Sequence, residues 1–169
     1  PVAPGESGEI CVRGPLVMNG YKDLPDETAE ALSGDWLHTG DVGRFDDEGY
    51  LYIVDRTKDM VITGGFNVFP REVEDVLSAH PAVSMVMVIG VPDPKWGEAV
   101  KAVVVLVPGV EPSDGLTHEL QQLVRDAKGS QQAPKTVDYV DSLPLTPVGK
   151  PDKKAVRARF WNSTERAVS

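Results

Sequence analysis

Two valine-rich runs, VSMVMVIGV at 83–91 and EAVKAVVVLV at 98–107, constrain this chain more than any other feature, because the turn-rich PDPKWGE between them makes them a pair of consecutive strands. The flanking segments supply elements of the other kind. In GGFNVFPREVEDVL, Pro70 stands at the first turn of a helix whose buried stripe is Val73, Val76 and Leu77. SDGLTHELQQLVRDAKG reads as a second helix, capped by Ser113 or Asp114, stopped by Gly129 and apolar along Leu116, Leu120, Leu123 and Val124. TVDYVDSL reads as a last strand, and PDKKAVRARFW as a terminal helix with Pro151 near its start. From residue 56 onward the order is strand, helix, strand, strand, helix, strand, helix, an α+β unit of ordinary domain size.

The segment before it has a different character. Residues 8–54 alternate short apolar runs with glycines, as in GEICVRG and GRFDDEGYLYIVDR, which predicts strands joined by tight turns with Gly49 at positive φ. LPDETAEAL between them reads as a short helix begun by Pro25 and Asp26. The boundary between the two parts is expected near residues 55–58.

Composition excludes several functions. Of 169 residues, 41% are hydrophobic and 25% charged, enough for one good core or two small ones, and no apolar run approaches the ~20 residues of a membrane span. PVAPGESGE lacks the pattern of a signal peptide, and a chain that opens on Pro1 reads as a piece of something longer. Membrane association is not indicated. The net charge is −9, with residues 147–169 holding six Lys/Arg against two Asp/Glu and residues 1–146 holding eleven against twenty-four. An acidic body argues against nucleic-acid binding, which needs a basic face. Cys11 is the only cysteine, so an internal disulfide is excluded and a cytoplasmic location expected; His38, His80 and His118 show no ligand spacing.

Three stretches carry chemistry. WLHTGDVGRF holds a Thr-Gly-Asp in which Asp41 either binds a ribose diol or stabilises a surface turn. VDRTKDMVITGGFNVFPREVE sets a Gly-Gly pair ahead of a helix, which suits either a close ligand approach to backbone or a plain hairpin turn. LPLTPVGKPDKK places Lys150 between Gly149 and Pro151, where the prolines are expected to keep the segment extended. Lys153, Lys154, Arg157 and Arg159 are expected to be a solvated helix face, Glu72 and Glu74 to favour the helix N-terminus through its dipole, and Trp96 to pack over a turn. Nothing arms His38 as a base.

Together GEICVRGPLVMNGY, WLHTGD, GYLYIVDRTKDMVITGGFNVFPREVEDVL, VIGVPDPKWGEAVKAVVVL and LPLTPVGKPDKKAVRARF resemble, in order and spacing, the C-terminal part of the acyl-CoA synthetases of the adenylate-forming superfamily, and most closely those acting on fatty acids. The resemblance implies a β-rich end of a large N-terminal domain over residues 1–57. It implies a small mobile C-terminal domain over 58–169, with a short mixed sheet flanked by about three helices. Such enzymes join a carboxylic acid to ATP as an acyl-adenylate, release diphosphate, then pass the acyl group to coenzyme A.

On this resemblance Lys150 is the catalytic lysine of adenylation, Asp41 and Arg56 bind the ATP or AMP ribose and phosphates, and Lys58 is the hinge. Gly64, Gly65 and Phe66 line the coenzyme A tunnel. Asn67 departs from the arginine of many relatives, which leaves it to hydrogen-bond a ligand or cap the turn before Pro70. The phosphate loop, the acyl pocket and the Mg2+ ligands would lie upstream of Pro1, so the fragment alone is expected to be inactive. The partners implied are a fatty or other carboxylic acid, ATP and coenzyme A. The competing readings are an adenylation domain that feeds a carrier protein and a non-catalytic binding domain that retains the fold.

Overall fold

A computed structural model describes residues 1–3 and 5–161. The chain forms two compact units, Pro1–Lys58 and Asp59–Ser169. The first is built on one long strand. Strand β3 (Trp36–Phe45) pairs antiparallel with β1 (Gly8–Val12) on one edge and with β2 (Leu32–Ser33) and β4 (Leu51–Arg56) on the other. Helix α1 (Pro25–Ala31) begins on its proline as expected, with Leu24 as N-cap and no side-chain capping bond. The β3–β4 turn is the expected one: Gly49 takes φ +84° and the Asp46 carboxylate accepts from the backbone N–H groups of Glu48 and Tyr50. Those backbone donors, Tyr50 first, hold the Asp46 pKa below its ordinary value.

The second unit is a five-stranded mixed sheet with helices on both faces. Its centre is the antiparallel pair of β7 (Val83–Asp93) and β8 (Gly97–Leu106), in register from Met85↔Val105 to Asp93↔Gly97, with Ser84 as an extra residue before Met85 and Val83 opposite Leu106. The other edge of β8 takes β9 (Thr136–Tyr139) in parallel and the end of β5 (Val61–Thr63), which continues through a hairpin into β6 (Phe66–Val68). Strand β6 is an element that the sequence pattern does not announce. The expected order passes from strand through a glycine turn to helix; the Gly64–Gly65 turn is a hairpin, and it returns Phe66–Val68 as a strand before α2 begins.

Strand alternation gives β7 and β8 two buried faces. Val88, Val100, Ala102 and Val104 face α2 (Pro70–Ser78) and α3 (Asp114–Lys128), whose Val73, Leu77, Leu120 and Val124 are fully buried against them. Met87, Ile89 and Val103 face the opposite way and pack on Leu143 and on Val156 of α4 (Lys153–Arg157). Ser113 rather than Asp114 caps α3, accepting the Leu116 N–H at 3.1 Å, and Gly129 ends it at φ +91°. No helix among the described residues is long and apolar enough to cross a membrane.

Because Leu120 is fully buried between α3 and the sheet, Leu120→Ala should lower the unfolding free energy by about 2–5 kcal/mol. Ser113→Ala should cost only about 1 kcal/mol. Urea midpoints measure both, and an unchanged midpoint for Leu120→Ala would contradict this packing.

Candidate functional site

The Thr-Gly-Asp stretch is not a simple turn but a bulge inside β3. Between the pairs Glu9↔Val42 and Cys11↔His38, strand β1 has one intervening residue, Ile10, while β3 has Thr39, Gly40 and Asp41. Gly40 absorbs the excess at φ +72°, and the Thr39 hydroxyl locks it by donating to Ile10 O at 2.7 Å and accepting the Asp41 N–H at 3.1 Å. A second irregularity sits opposite, where Val54 is an extra residue in β4. A straight continuation of Gly43↔Ile53 would set Asp41 against Asp55, two like charges; the bulge sets it against Arg56 instead. The Arg56 Nε lies 3.3 Å from the Asp41 carboxylate, and the pair is open to solvent, with Arg56 60% and Asp41 32% exposed. The carboxylate is thus held by an arginine from the neighbouring strand. Such an exposed pair contributes about 0–1 kcal/mol to stability.

Gly64 and Gly65 form the two-residue loop between the partners Thr63 and Phe66, at φ +57° and +84°. Two consecutive positive φ values at a two-residue hairpin loop are what a type I′ turn requires, so the turn alone accounts for both glycines. Trp96 adds a second restriction. Its backbone carbonyl accepts the Gly64 N–H at 2.9 Å, and a Cβ on Gly64 would come within 2.5 Å of its ring. Trp96 therefore packs over the turn, as expected. Phe66, the residue that follows the turn, is 56% exposed. Asn67 lies in β6 opposite Ile62, while the N-cap of α2 is Phe69 with no side-chain capping bond, so Asn67 does not cap that helix. Lys58 sits in the 3-10 turn Thr57–Asp59, as the last residue of the first unit.

Lys150 ends a closed hairpin rather than the extended segment expected from the prolines. The Thr146 carbonyl accepts from Gly149 N–H at 2.8 Å, the Thr146 N–H donates to Lys150 O at 2.7 Å, and Asp152 N–H donates to Pro144 O at 2.8 Å. Pro147 in the first loop position and Gly149 at φ +77° make a three-residue loop of the type I plus bulge kind. Pro151 does not open the helix; it bridges Leu145 across the hairpin, and Asp152 caps α4 by accepting the Ala155 N–H at 3.0 Å. Leu143 before the hairpin and Val156 after it are both buried, while Lys150 is exposed. The result is an ammonium carried on a turn fixed at both ends.

Sequence reasoning missed what holds α4 in place. Arg157 donates to Asp59 at 2.7 Å and Lys153 lies 2.8 Å from Glu74, with all four side chains below 20% exposed. These two cations are not a solvated face. Glu74 also accepts the Val88 N–H at 2.7 Å, so it ties α2 to β7 and α4 rather than serving the helix dipole, and Glu72 pairs with Lys128 of α3. Lys101, buried in β8, meets Asp138 at 2.6 Å and the Phe160 ring at 5.0 Å. No local pattern signals these pairs, since Asp59 and Arg157 are 98 residues apart.

Among the described residues, the group of His, Cys, Asp and Glu donors close enough to hold a metal is Glu9, Cys11 and His38. A thiol and an imidazole do not suit Mg2+, which prefers oxygen ligands in octahedral array.

Residues 72–150 match the family model of the AMP-binding enzyme C-terminal domain. The chain is 62% identical to the medium/long-chain-fatty-acid–CoA ligase FadD8 of Mycobacterium tuberculosis, covering 99% of this chain and 30% of that protein. It is 49% identical to a feruloyl-CoA synthase of an Amycolatopsis species, covering 95% of this chain and 32% of the relative. Among solved structures, the amide bond synthetase McbA from Marinactinospora thermotolerans superposes with a TM-score of 0.83 at 48% identity, over 94% of this chain and 32% of that one. The chain thus spans about a third of the length of these relatives. With its mixed sheet, its helices and the segment matched by the AMP-binding enzyme C-terminal domain taken together, the chain corresponds to the C-terminal portion of an AMP-binding acyl-CoA ligase.

Proposed function

We propose that this chain works as the C-terminal part of an ATP-dependent acyl-CoA synthetase, with residues 1–57 ending its large domain and residues 58–169 forming its mobile one. The observation that carries the reading is Lys150, an exposed ammonium on a turn anchored by buried Leu143 and Val156. In the first half-reaction a carboxylate oxygen attacks the α-phosphorus of ATP, forming the acyl-adenylate and releasing diphosphate. That attack brings two anions together, and a positioned cation offsets the charge that develops. A point charge suffices, so lysine fits the task as well as arginine would.

In the second half-reaction the coenzyme A thiol attacks the acyl carbon and AMP leaves. Lys150 has no part in that step, whereas the exposed Phe66 beside the Gly64–Gly65 turn offers an apolar wall for the pantetheine arm. Rotation at Lys58 would exchange the two surfaces. Asp41 and Arg56, already opposed across β3 and β4, offer a carboxylate to the ribose hydroxyls and a guanidinium to the ribose or phosphates. Mg2+ would be held outside this chain, whose own donor cluster does not suit it. The chain alone would then be inactive. A fatty acid is the substrate favoured by the similarity to the mycobacterial ligase, and a cytoplasmic location follows from this reaction and from the free thiol of Cys11.

In the full-length enzyme, Lys150→Ala should slow acyl-adenylate formation by about 10²–10³-fold. Transfer to coenzyme A from supplied acyl-adenylate should be unaffected. Equal rates of adenylation in parent and variant would exclude the role. Phe66→Ala should do the reverse, raising KM for coenzyme A while diphosphate release keeps its parent rate. Acyl transfer to a carrier protein with none to coenzyme A would favour the carrier-feeding reading.

A further inference from the structure

We propose that Glu9, Cys11 and His38 form a Zn2+ site on the β1–β3 ladder, with a thiolate, an imidazole Nδ1 and a carboxylate as protein ligands and the fourth position open to water. The placement follows from the strands. Cys11 and His38 are directly opposed across the ladder, and Glu9 lies two residues before Cys11 on β1, so its side chain emerges on the same face. The three donor atoms lie within 4.8 Å of one another.

Their separations are close to those a tetrahedral ion imposes. With Zn–S of ~2.3 Å and Zn–N and Zn–O of ~2.0–2.1 Å, tetrahedral angles require about 3.5 Å between S and N, about 3.5 Å between S and O, and about 3.3 Å between N and O. Cys11 Sγ is 3.6 Å from His38 Nδ1, 3.9 Å from Glu9 Oε2, and His38 Nδ1 is 2.7 Å from Glu9 Oε2. The first distance needs no change. The second closes and the third opens by roughly half an ångström when the ion replaces the proton shared between imidazole and carboxylate. All three groups are reachable, Glu9 being exposed and the other two half-buried.

The proton balance is simple. The thiol proton passes to solvent, the imidazole proton on Nδ1 relocates to Nε2, and the carboxylate enters as an anion. The site also abuts the bulge that carries Asp41. The second Glu9 oxygen accepts the Gly40 N–H at 3.3 Å, so an ion that shifts Glu9 away from His38 and toward Cys11 bears on the same bulge.

The test titrates the 169-residue chain with Zn2+ by calorimetry and with Co2+ by absorbance. One equivalent of metal and a thiolate-to-cobalt charge-transfer band in the near ultraviolet are expected. Cys11→Ser and His38→Gln, checked for folding by circular dichroism, should each weaken uptake at least about tenfold. Should a variant misfold, the parent chain still decides the matter, since Zn2+ must slow alkylation of Cys11 by iodoacetamide. Absence of saturable uptake overturns the proposal and leaves a hydrogen-bonded trio only. So does uptake that persists in both folded variants or leaves Cys11 alkylation unchanged, which would place the ion elsewhere.

Discussion

The antiparallel pairing of β7 with β8 is the interaction on which the second unit depends. Its register is unbroken from Met85↔Val105 to Asp93↔Gly97, and alternation along it divides the side chains between two cores. One core recruits α2 and α3. The other recruits Leu143 and Val156, and through them the hairpin that ends in Lys150. Only a strand pair apolar on both faces can do this. A half-solvated sheet would bury the two long helices and leave α4 with nothing to pack on. The ion pairs Arg157–Asp59 and Lys153–Glu74 then fix the azimuth of a helix too short, at five residues, to be stable by itself. Lys101 shares the face of Val103 and is accommodated there by Asp138 and Phe160.

Much of this was legible in the sequence, because local chemistry decides it. Pro25 and Pro70 begin their helices, Ser113 and Gly129 bound α3, and Gly49 closes its hairpin, each through a backbone preference that needs no knowledge of the fold. The hidden features are matters of register. Strand β6 has three residues, too few to show a period, and the two bulges around Asp41 are set by pairing across the ladder rather than by any one strand's own residues. Those bulges set Asp41 against Arg56, so the most informative geometry of the Thr-Gly-Asp stretch could not be read from its letters.

The lysine turn shows the same division. Pro147 and Gly149 announce a type I turn with a bulge, but the prolines also permit an extended chain, and the choice is made by Leu143 and Val156 finding one core. Lys153 and Arg157 depart from the expected solvated face for a related reason, while Lys154 and Arg159 are exposed. In sequence they form a basic run that looks solvated, whereas in the fold two of them meet carboxylates brought from 59 and 74. Residue types proposed for chemistry were thus visible early, and the scaffold that presents them became visible only with the sheet.

A fixed platform under Lys150 is what its proposed chemistry requires. Amide hydrogen exchange of the 169-residue chain, read residue by residue by nuclear magnetic resonance, measures this directly. Thr146 and Asp152 donate the hydrogen bonds that close the hairpin, so both N–H groups should be protected in the parent chain, and Val156→Ala should release them while β7 and β8 stay protected. Exchange at Thr146 and Asp152 as fast as in an unstructured peptide, in the parent chain itself, would contradict the account.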